Sequence, residues 1–228
     1  MRRSILLLLP LFLSLTVVTC FAQKQEYVGQ YDAYMGFAYL TTPNMNLAQR
    51  GFQAQFGYNY RRWVALGFDT SYFGGGSSMT VPMLNNATLA KLAPYQSLLP
   101  PGFAVPYTAN TYTITGGPQF NYRGFKYVTL FFHPDIGAMH MSVTAQPTSP
   151  LMGAIVGGLL GPSMSTSQWV GFYGVGGGFD LNVSKHVALR FQSDWVYTQL
   201  FSDLLRNPQH TWRMSASPTF RFGKNVPK

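Results

Sequence analysis

The chain has 228 residues, of which 10% are charged and 16% aromatic, and its formal net charge at neutral pH is +9. An average soluble domain carries about 25% charged residues, so this composition excludes an ordinary water-exposed surface. The many aromatic residues exclude a disordered chain. The single cysteine excludes a disulfide scaffold and a cysteine-based zinc site. The length fits one domain.

The N-terminal segment has the composition of a secretory signal peptide. It opens with two arginines, continues with an apolar stretch over residues 5–18, and has a small residue, Ala22, at the cleavage position. A lipoprotein signal acylated at Cys20 is the alternative. We predict a signal peptide over residues 1–22 and one mature domain over residues 23–228.

The mature chain contains no stretch that could cross a bilayer as a helix, which needs about 20 apolar residues. The best candidate, Leu151 to Leu160, is too short and contains three glycines. Eight other segments alternate between an aromatic or apolar face and a polar or small face, and this period of two predicts strands. In chain order they cover residues 31–39, 52–60, 64–72, 111–122, 128–136, 169–181, 187–198 and 212–222.

The connections between these segments alternate in length, which is the habit of outer-membrane barrels with short periplasmic turns. The short ones are residues 61–62, 123–125 and 183–186, and the long ones are residues 41–50, 73–110, 142–167 and 201–210. The sequence therefore predicts an all-β fold, an eight-stranded antiparallel transmembrane β-barrel with long extracellular loops. A soluble, lipocalin-like barrel is the alternative. Pro118 and Pro218 each remove a ladder donor, and we interpret them as local defects.

Charged residues are confined to one face of the strands. A charge on the lipid side would cost about 2–4 kcal/mol at mid-depth, so this face is predicted to line the barrel. The predicted interior ion-pair network comprises Asp32, Asp69, Asp135, Asp180, Arg190, Asp194, Arg213 and Arg221. Aromatic residues at the strand ends are predicted to form the interfacial girdles. These are Tyr39, Tyr60, Tyr72, Tyr122, Tyr127, Trp169, Tyr197 and Trp212.

The C-terminal third resembles the OmpA-type transmembrane β-barrel domain family. The resemblance rests on GVGGGFDLNVSKHVALRFQSDWVYT, from Gly174 to Thr198, and on RMSASPTFRFG, from Arg213 to Gly223. It implies an eight-stranded barrel in a bacterial outer membrane with a polar, solvated interior. The family's peptidoglycan-binding domain does not follow, so peptidoglycan anchoring is not expected. In this family the assembly signal is usually a terminal Phe. The corresponding residues here are Phe220 and Phe222, and residues 223–228 follow Phe222.

Several motifs were considered as sites of chemistry. His140 and Ser142 lie two apart on one strand face, as in lipid A deacylase barrels, but no acid occurs between Asp135 and Asp180 to orient the histidine. The glycines from Gly174 onward do not complete a dinucleotide fingerprint, because no helix follows. The four histidines are scattered. We therefore expect no enzyme, no cofactor and no metal site.

The basic excess was considered as a sign of nucleic-acid binding. The cations instead gather at the predicted periplasmic rim, which favours anionic headgroups or periplasmic partners: Arg61, Arg62, Arg123, Lys126, Lys185 and Lys224. We expect outer-membrane lipids, lipopolysaccharide and the barrel-assembly machinery as partners, and no nucleic acid.

The loops carry any specific function. Residues 73–110 and 142–167 are unusually apolar for outside loops. They are predicted to fold over the mouth or pack on the membrane, with binding of a surface or hydrophobic ligand as the alternative. An eight-stranded barrel has little room inside. The sequence therefore predicts a plugged barrel with a structural or surface-interaction role. The alternatives are a narrow porin or transporter of small or hydrophobic solutes and, third, a lipid A-modifying enzyme.

Overall fold

The computed structural model describes residues 27–206 and 209–227, which form one closed β-barrel. Neighbouring strands are antiparallel, and β8 closes the barrel on β1. The predicted fold class is confirmed. The strands are β1 (Gly29–Thr42), β2 (Leu47–Arg61), β3 (Val64–Thr80), β4 (Ala104–Tyr122), β5 (Val128–Ala145), β6 (Ser165–Asn182), β7 (Val187–Thr198) and β8 (Gln209–Asn225). The predicted signal peptide, residues 1–22, lies outside the described residues.

The strands place their alternating faces as a membrane barrel requires. On β1, Asp32 and Tyr34 are buried inside, whereas Met35 and Phe37 are 67% and 52% exposed on the outside. A lipocalin-like barrel would enclose the aromatic face, so the outward position of these side chains rules out the soluble alternative. Within the described residues, no helix is long and apolar enough to span a membrane.

The two ends of the barrel differ. At the turn end lie the start of β1, the end of β8 and the short connections, which are residues 62–63, 123–127 and 183–186. At the loop end, the connection predicted over residues 41–50 is wrong. It is a single 3₁₀ turn, Pro43–Met45, because β1 and β2 continue pairing to Thr42 and Leu47.

Two of the other loops are also shorter than predicted. β3 and β4 pair as far as Thr80 and Ala104, and β5 and β6 pair as far as Thr144 and Ser165. Backbone hydrogen bonds need no apolar alternation, so the ladders continue where the side-chain pattern fades. What remains of these two loops is residues 81–103 and 146–164, and the last loop lies between Thr198 and Gln209.

Two short helices lie in these loops. α1 (Asn86–Leu92) follows a 3₁₀ turn, Val81–Met83, and is followed by another, Ala93–Leu98. α2 (Pro150–Leu160) occupies the second long loop. In both helices the N-cap side chain accepts a hydrogen bond from a backbone N–H: Asn85 accepts from Thr88, and Ser149 accepts from Met152. The helices therefore begin where their capping residues predict.

The prolines interrupt pairing without ending strands. Pro118 on β4 stands opposite Pro134 on β5, and the recorded register skips from Gly116↔Ile136 to Phe120↔Phe132. Pro218 leaves a similar gap in the closing seam between β1 and β8. The interpretation as local defects is confirmed, and Pro134 is a third proline at such a gap.

Candidate functional site

The barrel interior at the turn end holds two groups of ion pairs, which we call the ion-pair cluster. In the first group, Asp180 on β6 binds two arginines. Arg190 donates to it twice, from Nε to Oδ1 at 2.7 Å and from Nη2 to Oδ2 at 3.0 Å. Arg221 Nη2 donates to the same Oδ2 at 2.7 Å. Asp32 Oδ1 lies 3.8 Å from Arg221 Nε, and Asn59 donates to its other oxygen at 2.7 Å.

The second group spans the barrel. Arg213 on β8 reaches Asp194 on β7 at 2.7 Å and Asp69 on β3 at 2.8 Å. Gln53 donates to Asp69, and Gln192 donates to both oxygens of Asp194. The arginine therefore ties the closing strand to a strand that is not its neighbour.

His133 belongs to this cluster, although the sequence interpretation treated it as scattered. Its Nδ1 is 2.6 Å from Asp135 Oδ2 and its Nε2 is 3.3 Å from Asp194 Oδ1. The available signal was its position on the charged face of β5, two residues before Asp135. A Cβ at Gly176 on β6 would come within 2.1 Å of Asp194 Oδ1 and 2.6 Å of the His133 ring. This glycine makes room for the pair.

Aromatic and amide side chains fill the remaining interior. Arg190 packs over the ring of Phe131, 4.5 Å from its centroid, and over Tyr34 at 5.4 Å. The Tyr34 hydroxyl donates to Gln192 at 3.1 Å. All eight residues predicted for the interior network thus lie on the inner wall, and each takes part in at least one of the ion pairs described above.

Arg123 lies at the turn end, where the sequence predicts the rim cations, but it is buried. Its side chain is buried under the turn end and donates to the Arg62 carbonyl at 2.9 Å and to Asn59 Oδ1 at 3.1 Å. Burial lowers the pKa of Arg123 to about 10, so it stays protonated at neutral pH. The remaining rim cations that are exposed are Arg61, Lys126, Lys185 and Lys224.

The aromatic residues predicted for the girdles all point outward. Six are exposed, whereas Tyr39 and Tyr197 are half-buried. Tyr197 packs on Tyr173 with ring centroids 5.1 Å apart. Phe220 and Phe222 are exposed on β8, and Phe222 stacks on Tyr31 across the closing seam.

The candidate enzyme motif does not assemble. His140 packs on Trp169 with ring centroids 4.8 Å apart, and Asp135, the nearest acid along the chain, is paired with His133 inside the barrel. Among the described residues, no group of three or more His, Cys, Asp or Glu side chains could hold a metal ion.

The loop end of the interior is apolar, a feature that the sequence interpretation missed. We call it the apolar mouth. Its buried residues come from the strands and from the β1–β2 turn: Met45, Leu47, Tyr107, Ala109, Met139, Met141, Val143, Phe172 and Val196. They form one hydrophobic cluster with Leu200, Phe201 and Leu205, which belong to the loop after β7. No inward charge marks these strand ends, and the polarity of the two faces is reversed there. On β5 the buried Met139, Met141 and Val143 alternate with the polar His140, Ser142 and Thr144 on the outer face, so a rule that places the polar face inside could not reveal this lining.

Residues 81–103, 146–164 and 199–206 cover this mouth, and we call them the apolar cap. Leu84, Leu92 and Ile155 form its own hydrophobic cluster. Backbone bonds join two of the segments: Asn85 N–H donates to the Leu204 carbonyl at 3.0 Å, and Arg206 N–H donates to that of Met83 at 2.8 Å. The prediction that the long loops fold over the mouth describes this arrangement.

The shape of the barrel matches solved outer-membrane proteins, while the sequence matches no protein-family profile and no curated protein. The outer membrane protein OprG from Pseudomonas aeruginosa superposes with a TM-score of 0.51 at 10% identity, over 88% of this chain and 99% of that one. Neisserial surface protein A superposes with a TM-score of 0.50 at 12% identity, over 84% and 96%. Ail of Yersinia pestis, in complex with the heparin analogue sucrose octasulfate, gives 0.49 at 18% identity, over 85% and 99%.

The fold is therefore that of the small eight-stranded outer-membrane β-barrels of the OmpA-like class. This agrees with the resemblance found in the C-terminal third of the sequence. In this class the turn end faces the periplasm and the loop end faces the outside. In this chain the ion-pair cluster lies at the turn end, and the apolar cap covers the loop end.

Proposed function

We propose that this protein is a non-conducting outer-membrane barrel with a structural and surface-interaction role, and that it is not an enzyme. The observation that carries the proposal is the ion-pair cluster, in which three arginines and His133 hold four buried carboxylates and the partly buried Asp135 across the inside of the barrel. A barrel of eight strands is just wide enough for side chains to fill it. Solutes then have no open polar path.

The outer surface of the barrel is proposed to contact the membrane. The outward aromatic residues support contacts with outer-membrane lipids and lipopolysaccharide, and Phe220 and Phe222 are proposed as the signal for the barrel-assembly machinery. Residues 1–22 are proposed as a signal peptide that is removed during export. Sequencing the N-terminus of the protein purified from outer membranes should then begin at Gln23, whereas an acylated Cys20 would contradict this assignment.

Planar-bilayer recording tests whether the barrel conducts. The wild-type protein is expected to give no steady channels. Arg213→Ala, which leaves Asp69 and Asp194 without their shared cation, is expected to give intermittent openings, because two like charges would then repel across the interior. Lys185→Ala, in an exposed turn, is the control and should remain silent. Steady wild-type conductance would instead support the narrow-porin alternative.

A further inference from the structure

A cavity lies between the apolar mouth and the apolar cap. Its volume is about 80 Å³, and residues from the barrel wall and from all three cap segments line it, among them Met79, Leu84, Phe103, Ile155 and Phe201. No charged side chain lines it. Space of this size would admit several water-sized groups, but water is retained in a cavity only where about two to four polar partners hold it.

Two of the polar side chains in the lining, Thr88 and Tyr107, already have hydrogen-bond partners. Thr88 Oγ1 donates to the carbonyls of Asp203 and Leu204, at 3.4 Å and 3.2 Å. The Tyr107 hydroxyl donates to the Met45 carbonyl at 2.8 Å. The first contact lies within the cap and the second within the mouth, and both of these groups offer little to a polar guest. An apolar guest loses no hydrogen bond on entering and gains dispersion contacts with the wall.

Hydrogen bonds link the segments that form the cavity wall. The backbone bonds between residues 83–85 and 204–206 join two cap segments, and Phe201 N–H donates to Gln168 Oε1 at 2.6 Å, which anchors the third loop to β6. A site that is already shaped loses less conformational entropy when it binds. On the periplasmic side the ion-pair cluster follows, so a guest held here has no polar path onward.

We propose that this cavity is a binding site for an uncharged hydrocarbon group, either a small ring or a short alkyl segment, presented from the outer side of the barrel. The absence of charge in the lining selects against ions and charged headgroups. The proposal goes beyond a structural role, and it stands or falls separately from conductance, because a silent barrel can bind a hydrocarbon or fail to.

Methionine methyl groups report on the site directly. Met45 and Met79 line the cavity, whereas Met35 and Met214 face lipid. In lipid nanodiscs with deuterated acyl chains, toluene is the probe and the ¹³C-methyl resonances are followed by NMR. Binding predicts saturable shifts and toluene cross-peaks at Met45 and Met79. Partitioning into lipid predicts only proportional changes at Met35 and Met214.

Filling the cavity should abolish the saturable response. Ile155→Trp and Leu159→Trp both place a larger side chain in the lining, and Leu66→Trp on the lipid face is the matched control. Folding of each variant is checked by its heat-modifiable gel shift. If a variant does not fold, the wild-type cross-peaks decide. The proposal is overturned if the wild type gives no cross-peaks to Met45 and Met79, or if both folded cavity variants bind toluene as the wild type does.

Two sources of hydrocarbon are separated by leaving toluene out. With protonated acyl chains, cross-peaks from lipid chain protons to Met45 and Met79 would identify a lipid chain as the occupant. If those cross-peaks are absent and toluene still binds saturably, the occupant is a free small hydrocarbon. A barrel that stays electrically silent but binds neither would reject this site while leaving the plugged barrel in place.

Discussion

The two halves of the barrel interior are built by the same strands and differ in chemistry. The half near the turn end is held by charged side chains such as Arg213 and Asp180, each with several partners, whereas the half near the loop end is filled by residues such as Met141 and Phe172. In the first half, each group needs a specific partner. In the second half, volume alone matters. The period of two therefore decides which side chains point inward. Their position between the turn end and the loop end decides whether those side chains are charged or apolar.

This difference predicts the largest effect for removal of a shared charge. Asp180→Ala leaves Arg190 and Arg221 buried without their common carboxylate, and breaking a buried pair destabilises by about 3–5 kcal/mol. The free energy of unfolding in urea, measured in lipid vesicles by gel shift, should fall by that amount. Asp203→Ala, an exposed acid in the cap, should change it by less than about 0.5 kcal/mol. If the two variants lose the same free energy of unfolding, the buried carboxylate contributes no more than the exposed one, and the account of the ion-pair cluster is contradicted.

The apolar mouth should respond to volume instead. Met141 is fully buried there, and Met141→Ala is expected to destabilise by about 2–4 kcal/mol through the cavity that it leaves. Met141→Leu keeps the volume and should remain within about 1.5 kcal/mol of the wild type. The same urea titration measures both variants. A leucine variant as unstable as the alanine variant would contradict this interpretation.

Two glycines sharpen the comparison between a packed and an open position. Gly176→Ala would push a methyl group into Asp194 and His133, and overpacking of this kind is expected to destabilise by about 1–3 kcal/mol. Gly157→Ala on α2 has nothing within 4 Å of the added carbon. It should stabilise the protein by up to about 1 kcal/mol. Urea unfolding checks the first, and thermal unfolding of the cap region checks the second.

The smallest effect is expected at the links within the cap. The Asn85 side chain accepts from Thr88 N–H at 2.8 Å and donates to the Ser202 carbonyl at 3.0 Å. Asn85→Ala should weaken the cap by about 1 kcal/mol, which is roughly a fivefold faster limited proteolysis of its loops. Ser97→Ala, an exposed serine in the same segment, should leave the cleavage rate unchanged. Equal rates for the two variants would mean that this link does not hold the cap.

The halves also differ in how much of them the sequence could predict. Charges confined to one side of alternating strands placed all eight members of the network on the inner wall, because lipid excludes them from the outside. His133 was missed because a neutral-looking histidine carries no such constraint. The burial of Arg123 was missed because turns have no period.

The apolar mouth could not be predicted for a different reason. Residues such as Met139 and Met141 are apolar and buried, whereas the residues that alternate with them on the outer face, such as His140, are polar. The rule that the polar face is the inner one therefore fails at these strand ends. The ends of β3 and β4 were missed because residues 73–80 are rich in glycine and serine, which suggests a loop. Pairing with residues 104–111 nevertheless extends the ladder there.

The central claim is that side chains seal the barrel interior, and access to an interior thiol tests it most directly. Thr113 on β4 is 2% exposed and pairs with Ser71 on β3. Ser71 follows Asp69 by two positions on the same strand, in the direction of the mouth. Cys20 is the only cysteine of the chain, so residues 23–228 carrying Thr113→Cys contain a single thiol. In lipid vesicles, a cationic water-soluble thiol reagent should leave this cysteine unmodified until urea unfolds the barrel. Rapid modification of the folded protein would contradict the sealed interior.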